Sequence, residues 1–423
     1  MNPQALQSLA NFPVLAAITG RRSRRFALGA SLPNGPFAYQ STHEPQPLSQ
    51  EEQLLLLTTM TGNTGWNYLI PHHPSVPAHM PAYPAAAGGR AHASAAGIHT
   101  SELFYTDDNG TYFFQTRDEP ALVEPAADGT VDIDAWLAAH RRCIQQLSHQ
   151  RLHLPPTAMD AHNTWCANVP GSTLLIPVAD LAQHLIGVLC FMVQNGGCLY
   201  DNLHNERVPG LDQFRDLVDV DNPAPLTQLE QNSLVMVVAE LATAAQNGML
   251  LLQAMGLGGW LFTGLDMYAV LGASGDPAVP GLGFHHVRDG RWPVPNVTGL
   301  AGVYEGFCPP HFPDMRAAVD QYVERKFGPG GPFHPETPGP WRETAQIRSA
   351  ITPHDDEFKA CVALMAQFVY DRFGKFPATV PTIFAGPYLQ AHHLDLDYYD
   401  TYFAPGAYLH SHAVHMMQWH KQT

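Results

Sequence analysis

An α+β fold class is predicted by three observations along this 423-residue chain. Two stretches carry the same helix-start signal: "LSQEEQLLLL" offers Ser49 as N-cap with Glu52 three residues on, and "PLTQLEQNSL" offers Thr227 with Glu230. In each, a hydroxyl can accept from a backbone N–H of the first turn while the carboxylate reaches back to the cap, ahead of an apolar run. Between them, "ELFYTDDNGTYFFQT" reads as two short strands, 102–106 and 111–115, joined around Asn109 and Gly110, where a positive φ is tolerated.

The capping signals launch helices over 49–60 and 227–255. The second is apolar nearly all round and so belongs at the centre of the core or at a subunit interface. The N-terminal "MNPQALQSLANFPVLAAITGRR" lacks a basic stretch before its apolar part and reads as a short amphipathic helix rather than a signal peptide. "DIDAWLAAHRRCIQQLSHQ" predicts a helix starting near Asp134, whose side chain can cap it. From 271 to 345 the text turns Pro- and Gly-rich ("GASGDPAVPGLGF", "FGPGGPFHPETPGPW"), which does not sustain long helices or central strands, so ordered loops wrapping the core are expected. A last helix is expected at 354–374. The apolar stretches "LLIPVADLAQHLIGVLCFMVQN" and "LVMVVAELATAAQNGMLLLQAM" contain Asp180, Gln183 and His184, and Glu240, Gln246 and Asn247. Such groups are costly in lipid, so both read as buried helices rather than membrane spans.

Apolar residues make up 45% of the chain and charged residues only 14%, which implies much internal or interfacial surface. A formal charge of −16 argues against nucleic acid as a partner. Six cysteines without CxxC spacing read as reduced and buried, in a cytoplasmic protein. Against this acidic background "GRRSRR" at 20–25 concentrates positive charge, and its guanidiniums and hydroxyl are the groups that grip a phosphate.

Four segments in order then resemble the FMN-dependent nitroreductases, nearest to the azoline-oxidising branch: "RRSRRF", the capped helix leading to "TGNTGWNY", "GGRAHASAAGIHTSELFYTDDNGTYFF", and "AELATAAQNGMLLLQAMGLGGWLFTG". The resemblance implies a nitroreductase-like α+β fold, with an antiparallel or mixed sheet flanked by helices and a long central helix. It implies an FMN-binding core over 1–270, with 271–423 as loops plus a His-rich C-terminal helical extension packed on that core. By the same resemblance Arg21, Arg22, Ser23 and Arg25 bind the FMN phosphate and ribityl chain, and Asn63 or Asn67 sits near the ring. Ser94, Ala95 and Gly97 pass close to the ring or substrate, and Thr263 and Gly264 lie near its N5 edge. A further phosphate-binding base is expected from near the C-terminus, with Arg372 or Lys375 as the candidates. The implied protein is a cytoplasmic homodimer that moves hydride or electrons between FMN and a small organic substrate, with NAD(P)H as a possible electron source.

The tail stands apart. "AHHLDLDYYD" and "HSHAVHMMQWH" hold six of the chain's 23 histidines. If the tail is helical, His412 and His415 share a face at i, i+3, and His392, His393, Asp395 and Asp397 could complete N/O coordination of zinc or non-haem iron. With so many histidines and so many interleaved aromatic residues, the preferred reading is a packed C-terminal helix without metal. His285 and His286 could flank a substrate pocket or simply sit on a loop, and a catalytic thiol at Cys308 beside His311 is the less favoured reading of that pair. The competing functions are a metal-dependent enzyme built on this tail, and a cofactor-free binding protein on a nitroreductase scaffold.

Overall fold

The computed structural model describes residues 2–66, 68, 88–117, 126 and 128–420. Helices α1 (Pro3–Ala10), α2 (Val14–Gly20), α3 (Gln50–Thr61), α4 (Ile133–Arg141), α5 (Leu181–Gln194), α6 (Leu226–Met255), α7 (Met315–Phe327), α8 (Asp356–Phe373) and α9 (His410–Trp419) accompany a seven-stranded sheet. Its strands are β1 (Ser101–Asp107), β2 (Gly110–Phe114), β3 (Ile144–Ser148), β4 (Thr173–Asp180), β5 (Gly258–Phe262), β6 (Ile383–Ala385) and β7 (Tyr388–His392). They run in the order β5-β7-β4-β1-β2-β3, with β6 also paired to β4, and every pairing is antiparallel. The fold is therefore α+β with a long central helix. Residues after 270 are woven into it, because β7 lies between β5 and β4. The segment expected to rest on the core supplies an interior strand of its sheet.

Both central strands are buried along their whole length. Alternation sorts their side chains: Leu103, Tyr105 and Leu175 join Leu389 and Ala391 under α3 and α6, while Phe104, Leu174, Ile176 and Val178 join Trp260 and Phe262 on the opposite face. A separate cluster unites α5, α7 and α8 around Leu185, Leu189, Tyr322, Val362 and Val369.

Several local expectations are met and others need correction. Ser49 and Glu52 form the capping box that starts α3. At α6 the expected box does not form. Pro225 is the N-cap, Asn202 Oδ1 accepts from Thr227 N at 3.1 Å, and Glu230 is turned inward to accept from the backbone N–H groups of Ala378 and Thr379 at 2.6 Å each. A partner remote in sequence replaces the local cap. Asp132, not Asp134, caps α4. The hairpin loop is Asp108 and Asn109, with Gly110 already paired to Asp107, because Asp107 Oδ1 accepts from both Asn109 N and Gly110 N. The first apolar stretch divides at Asp180: the part before it is β4, and Asp180 caps α5 by accepting from Gln183 N at 2.9 Å. Within the Pro/Gly-rich region Asp314 caps the 13-residue α7, a helix not expected there.

α6 is long and apolar enough to cross a membrane by length and composition, and it lies along the sheet with part of its surface exposed. It ends at Gly256, whose φ of 85° is left-handed and whose added Cβ would meet the Ser411 carbonyl oxygen at 2.1 Å. A glycine is required there both by conformation and by the close passage of α9.

Two stability measurements follow. Leu389 is fully buried between β5 and α6, so Leu389→Ala is expected to destabilise the protein by about 2–5 kcal/mol in chemical denaturation. His354 stacks on Phe358 at 4.1 Å with neither ring nitrogen hydrogen-bonded among the described residues, and burial pushes its pKa from 6.5 down to about 3. Burial likewise pushes His184 down to about 4. Each group's folded pKa lies below its unfolded value, so its contribution is full above pH 6.5 and is lost as pH falls from there toward the folded value. The melting temperature is expected to drop on acidification below 6.5, and less steeply in His354→Phe, which keeps the ring stack without the titration.

Candidate functional site

The segment 21–25 follows the end of α2 and runs beside β5, where Arg24 and Gly259 exchange backbone hydrogen bonds at 3.2 and 2.8 Å. Arg21, Arg22 and Ser23 are exposed. Arg24, which the sequence pattern did not single out, is buried on the α6 side and donates to Gln253 Oε1 at 2.6 Å and to the carbonyls of Ala407 and Gly20. Arg25 faces the other way, 5.2 Å over the Trp260 ring, with Nη1 donating to Asn163 Oδ1 at 3.2 Å. Asn163 in turn borders Gly264, where an added Cβ would meet Asn163 Nδ2 and Asp160 Oδ2 at 2.6 Å each. Arg25 and Gly264 are thus brought together through Asn163, with exposed Thr263 beside them.

The small-residue loop lies elsewhere. Thr243 Oγ1 donates to Ala93 O and Asn247 Nδ2 to Ala91 O, which anchors residues 91–93, just ahead of Ser94, Ala95 and Gly97, on α6. Gly97 has φ 66° and His99 φ 56°, the latter a costly conformation for a residue with a side chain. Asn63 is buried nearby. Its N–H donates to His140 Nε2 at 2.8 Å and its amide to Thr116 O at 3.2 Å. Asn67 lies outside the described residues. Measured along α6 from Thr243 to Gln253, the loop and the arginine segment are about 15 Å apart, with Arg25 on the far face of the sheet.

The loop leads into a dense polar group. Glu240 of α6 is fully buried and its Oε1 accepts from Ser101 N at 2.9 Å and Ser101 Oγ at 2.6 Å. His92 Nε2 lies 3.1 Å from Ser101 Oγ and 3.9 Å from Glu240 Oε1, and the His92 and His99 rings meet edge to face at 5.2 Å. Glu240 Oε2, His99 Nδ1, Thr100 Oγ1, Ser94 Oγ and both nitrogens of His184 are buried without hydrogen-bond partners among the described residues. Burial opposes the charge on Glu240, but the neighbouring His92, His99 and Ser101 hold its carboxyl well below the usual range. Burial pushes His99 down to about 3. The arrangement is a carboxylate with neutral imidazoles, able to bind a polar group.

A second group forms where α3, β7 and α9 meet. Glu52 Oε1 lies 3.4 Å from His393 Nε2, 2.8 Å from His415 Nε2 and 3.1 Å from His420 Nε2, while Oε2 accepts from Ser49 N at 2.6 Å. Burial opposes the charge on Glu52, and the close imidazoles outweigh it and hold the carboxyl far below its usual range. Of the tail residues weighed in the sequence, His393 and His415 enter this group. His392 is buried beside Trp260, His412 Nδ1 accepts from Leu409 N at 3.1 Å, and Asp395 caps the helix Leu396–Tyr402 and accepts from Ser41 Oγ. Asp397 is exposed and pairs with His43. Glu52 was read only as a capping residue, and His420 escaped the helical spacing test because it sits just past the end of α9, with φ −119°. Arg372 is held by Glu206, Lys375 Nζ donates to Val380 O, and burial pushes the Cys308 thiol well above its ordinary pKa.

No family model and no curated protein matches the chain. Among solved structures, a protein of Ralstonia eutropha JMP134 provisionally described as a nitroreductase aligns over 60% of this chain and 72% of its own, with 12% identity and a TM-score of 0.28. A likeness at that level carries no argument about what this chain does.

The arginines of the N-terminal cluster are separable by experiment. Arg24→Ala strands Gln253 Oε1 and three backbone contacts in the interior and is expected to cost on the order of 3 kcal/mol in chemical denaturation. Arg22→Ala, at an exposed position, is expected to leave the unfolding midpoint unchanged.

Proposed function

We propose that this protein is a cytoplasmic FMN-dependent oxidoreductase that transfers hydride or electrons between flavin and a small organic substrate, with NAD(P)H as electron source. The observation that carries the reading is the coincidence at residues 94–101: the loop that resembles the ring-side loop of nitroreductases ends at the buried, unpartnered polar atoms around Glu240. Side chains left unpaired in an interior are costly, and a bound polar molecule would satisfy them. The chain's donors suit FMN at both ends. Arg21, Arg22 and Ser23 offer exposed charge-assisted donors for a phosphate, and the positive φ of Gly97 lets backbone approach a flat ring without side-chain obstruction.

FMN, when bound, supplies the redox chemistry through its ring. The protein's part is to bind, orient and shield. Asn163 fixes Arg25 against Trp260, Thr263 and Gly264 present backbone beside it, and Glu240 with Ser101 and His92 offers hydrogen-bonding groups to a substrate. One chain carries Arg25 on the face of the sheet opposite the small-residue loop, so a flavin touching both would draw them from two copies. Val14, Leu15 and Ile18 of α2 and Val235 of α6 are exposed apolar side chains suited to such a homodimer. A charge of −16 favours a small-molecule partner over nucleic acid.

The deciding experiment is the visible absorbance spectrum of the purified protein. Oxidised-flavin bands are expected, and Arg21→Ala combined with Arg25→Ala is expected to lower FMN content at least tenfold with an unchanged circular dichroism spectrum. A colourless protein that also fails to take up added FMN would overturn the reading. Stoichiometric FMN in the double variant would sink the arginine assignment alone.

A further inference from the structure

We propose that Glu52, His393, His415 and His420 bind one divalent transition-metal ion, zinc foremost, in a closed structural site that fastens the C-terminal helix to the core sheet. The four ligating atoms lie within 4.8 Å of one another. Glu52 Oε1 stands 2.8, 3.1 and 3.4 Å from the three Nε2 atoms. In a tetrahedron with metal–ligand bonds near 2.0–2.1 Å, ligand atoms are separated by about 3.3 Å, close to the three distances from Glu52 to the imidazoles.

The imidazoles are oriented for metal as well as gathered. His393 Nδ1 lies 3.0 Å from Gln46 O, and His415 Nδ1 2.8 Å from Met255 O. A carbonyl oxygen only accepts, so each Nδ1 carries a proton and each ring turns Nε2 toward Glu52. This is the outer-shell arrangement by which proteins fix a ligating histidine. His420 Nδ1 is held 3.3 Å from the Gln46 side-chain amide, whose oxygen can take the nitrogen's place by a flip of the group and accept an Nδ1 proton.

A cation would complete the arrangement. His415 Nε2 is buried 2.8 Å from Glu52 Oε1, with no other partner among the described residues. With Nδ1 protonated toward Met255 O, that nitrogen meets the carboxylate either through a second proton or as a bare lone pair, and a metal ion takes the proton's place by accepting from both atoms. Glu52 keeps its capping role throughout, because Oε2 is the atom that accepts from Ser49 N.

Three imidazoles and one carboxylate fill a tetrahedral shell from the protein alone. Glu52, His393 and His415 are buried and His420 is only partly exposed. No position is left for substrate, which marks a structural rather than a catalytic centre. The ligands come from α3, the end of β7 and the end of α9, segments far apart in sequence, so the ion would close long loops and pin the tail.

The test is elemental analysis of the full chain purified without a histidine tag, followed by chelation and cobalt loading. One zinc per chain is expected. Chelation should lower the melting temperature, added zinc should restore it, and cobalt added to the chelated protein should give the intense visible bands of a tetrahedral ion. Glu52→Gln, which keeps a side chain able to cap α3, and His420→Ala, at the partly exposed ligand, should each abolish those bands. A purified protein without metal that also shows no cobalt bands and no zinc-dependent melting shift overturns the proposal. Should the variants fail to fold, the cobalt titration of the unaltered chain decides alone. Flavin content is read separately, so a colourless protein that takes up no added FMN but carries zinc refutes the redox reading and leaves this one standing.

Discussion

The two oxygens of Glu52 have different tasks, and the architecture at one end of the sheet depends on keeping both. Oε2 closes the capping box that begins α3, and Oε1 gathers imidazoles from β7 and from the last turn of the described chain. A helix start is a place where negative charge is favoured by the unsatisfied N–H groups around it. Placing the shared carboxylate there lowers the cost of burying a charge that three neighbouring histidines then also stabilise. The same contact brings α9 against the end of α6, where Gly256 leaves room for the Ser411 carbonyl.

Consecutive arginines show how a strand-like backbone divides work between faces. Arg24 is spent on holding the chain together beneath α6, while Arg25 reaches Trp260 and Asn163 across the sheet. The alternation that sorts apolar side chains in β1 and β4 also sorts charge here. A basic run that looks uniform in sequence is therefore a mixture of one buried structural guanidinium, one half-buried against Trp260, and two exposed ones.

Where the determinant was local, it could be read in advance. The Ser49/Glu52 box, the hairpin near Asn109 and the tail helix are all written in neighbouring residues. Thr227 misled because Asn202 and the 378–379 loop, remote in sequence, claimed the groups that would have made a local cap. The strand β4 was hidden in an apolar run that periodicity alone cannot tell from a helix. In the candidate sites, His393 and His415 were visible as histidines near one another in sequence, but Glu52 lies more than three hundred residues away and already had a sufficient local explanation. The polar group around Glu240 could not be foreseen for the same reason: Glu240, Ser101, His92 and His184 meet only once α5, α6 and β1 are assembled.

α6 connects these observations as a ruler does. Along one continuous helix, Glu230 holds the loop at 378–379, Glu240 receives Ser101, and Gln253 receives Arg24. Each helical residue turns the chain by about 100° and advances it about 1.5 Å. A single inserted or deleted residue between these positions would rotate every later side chain away from its partner. Substitutions on the exposed flank of α6 leave that register untouched. Across relatives of this chain, the helix should therefore vary in composition on its outer side while its length stays fixed, and insertions should collect in the loops between 271 and 345.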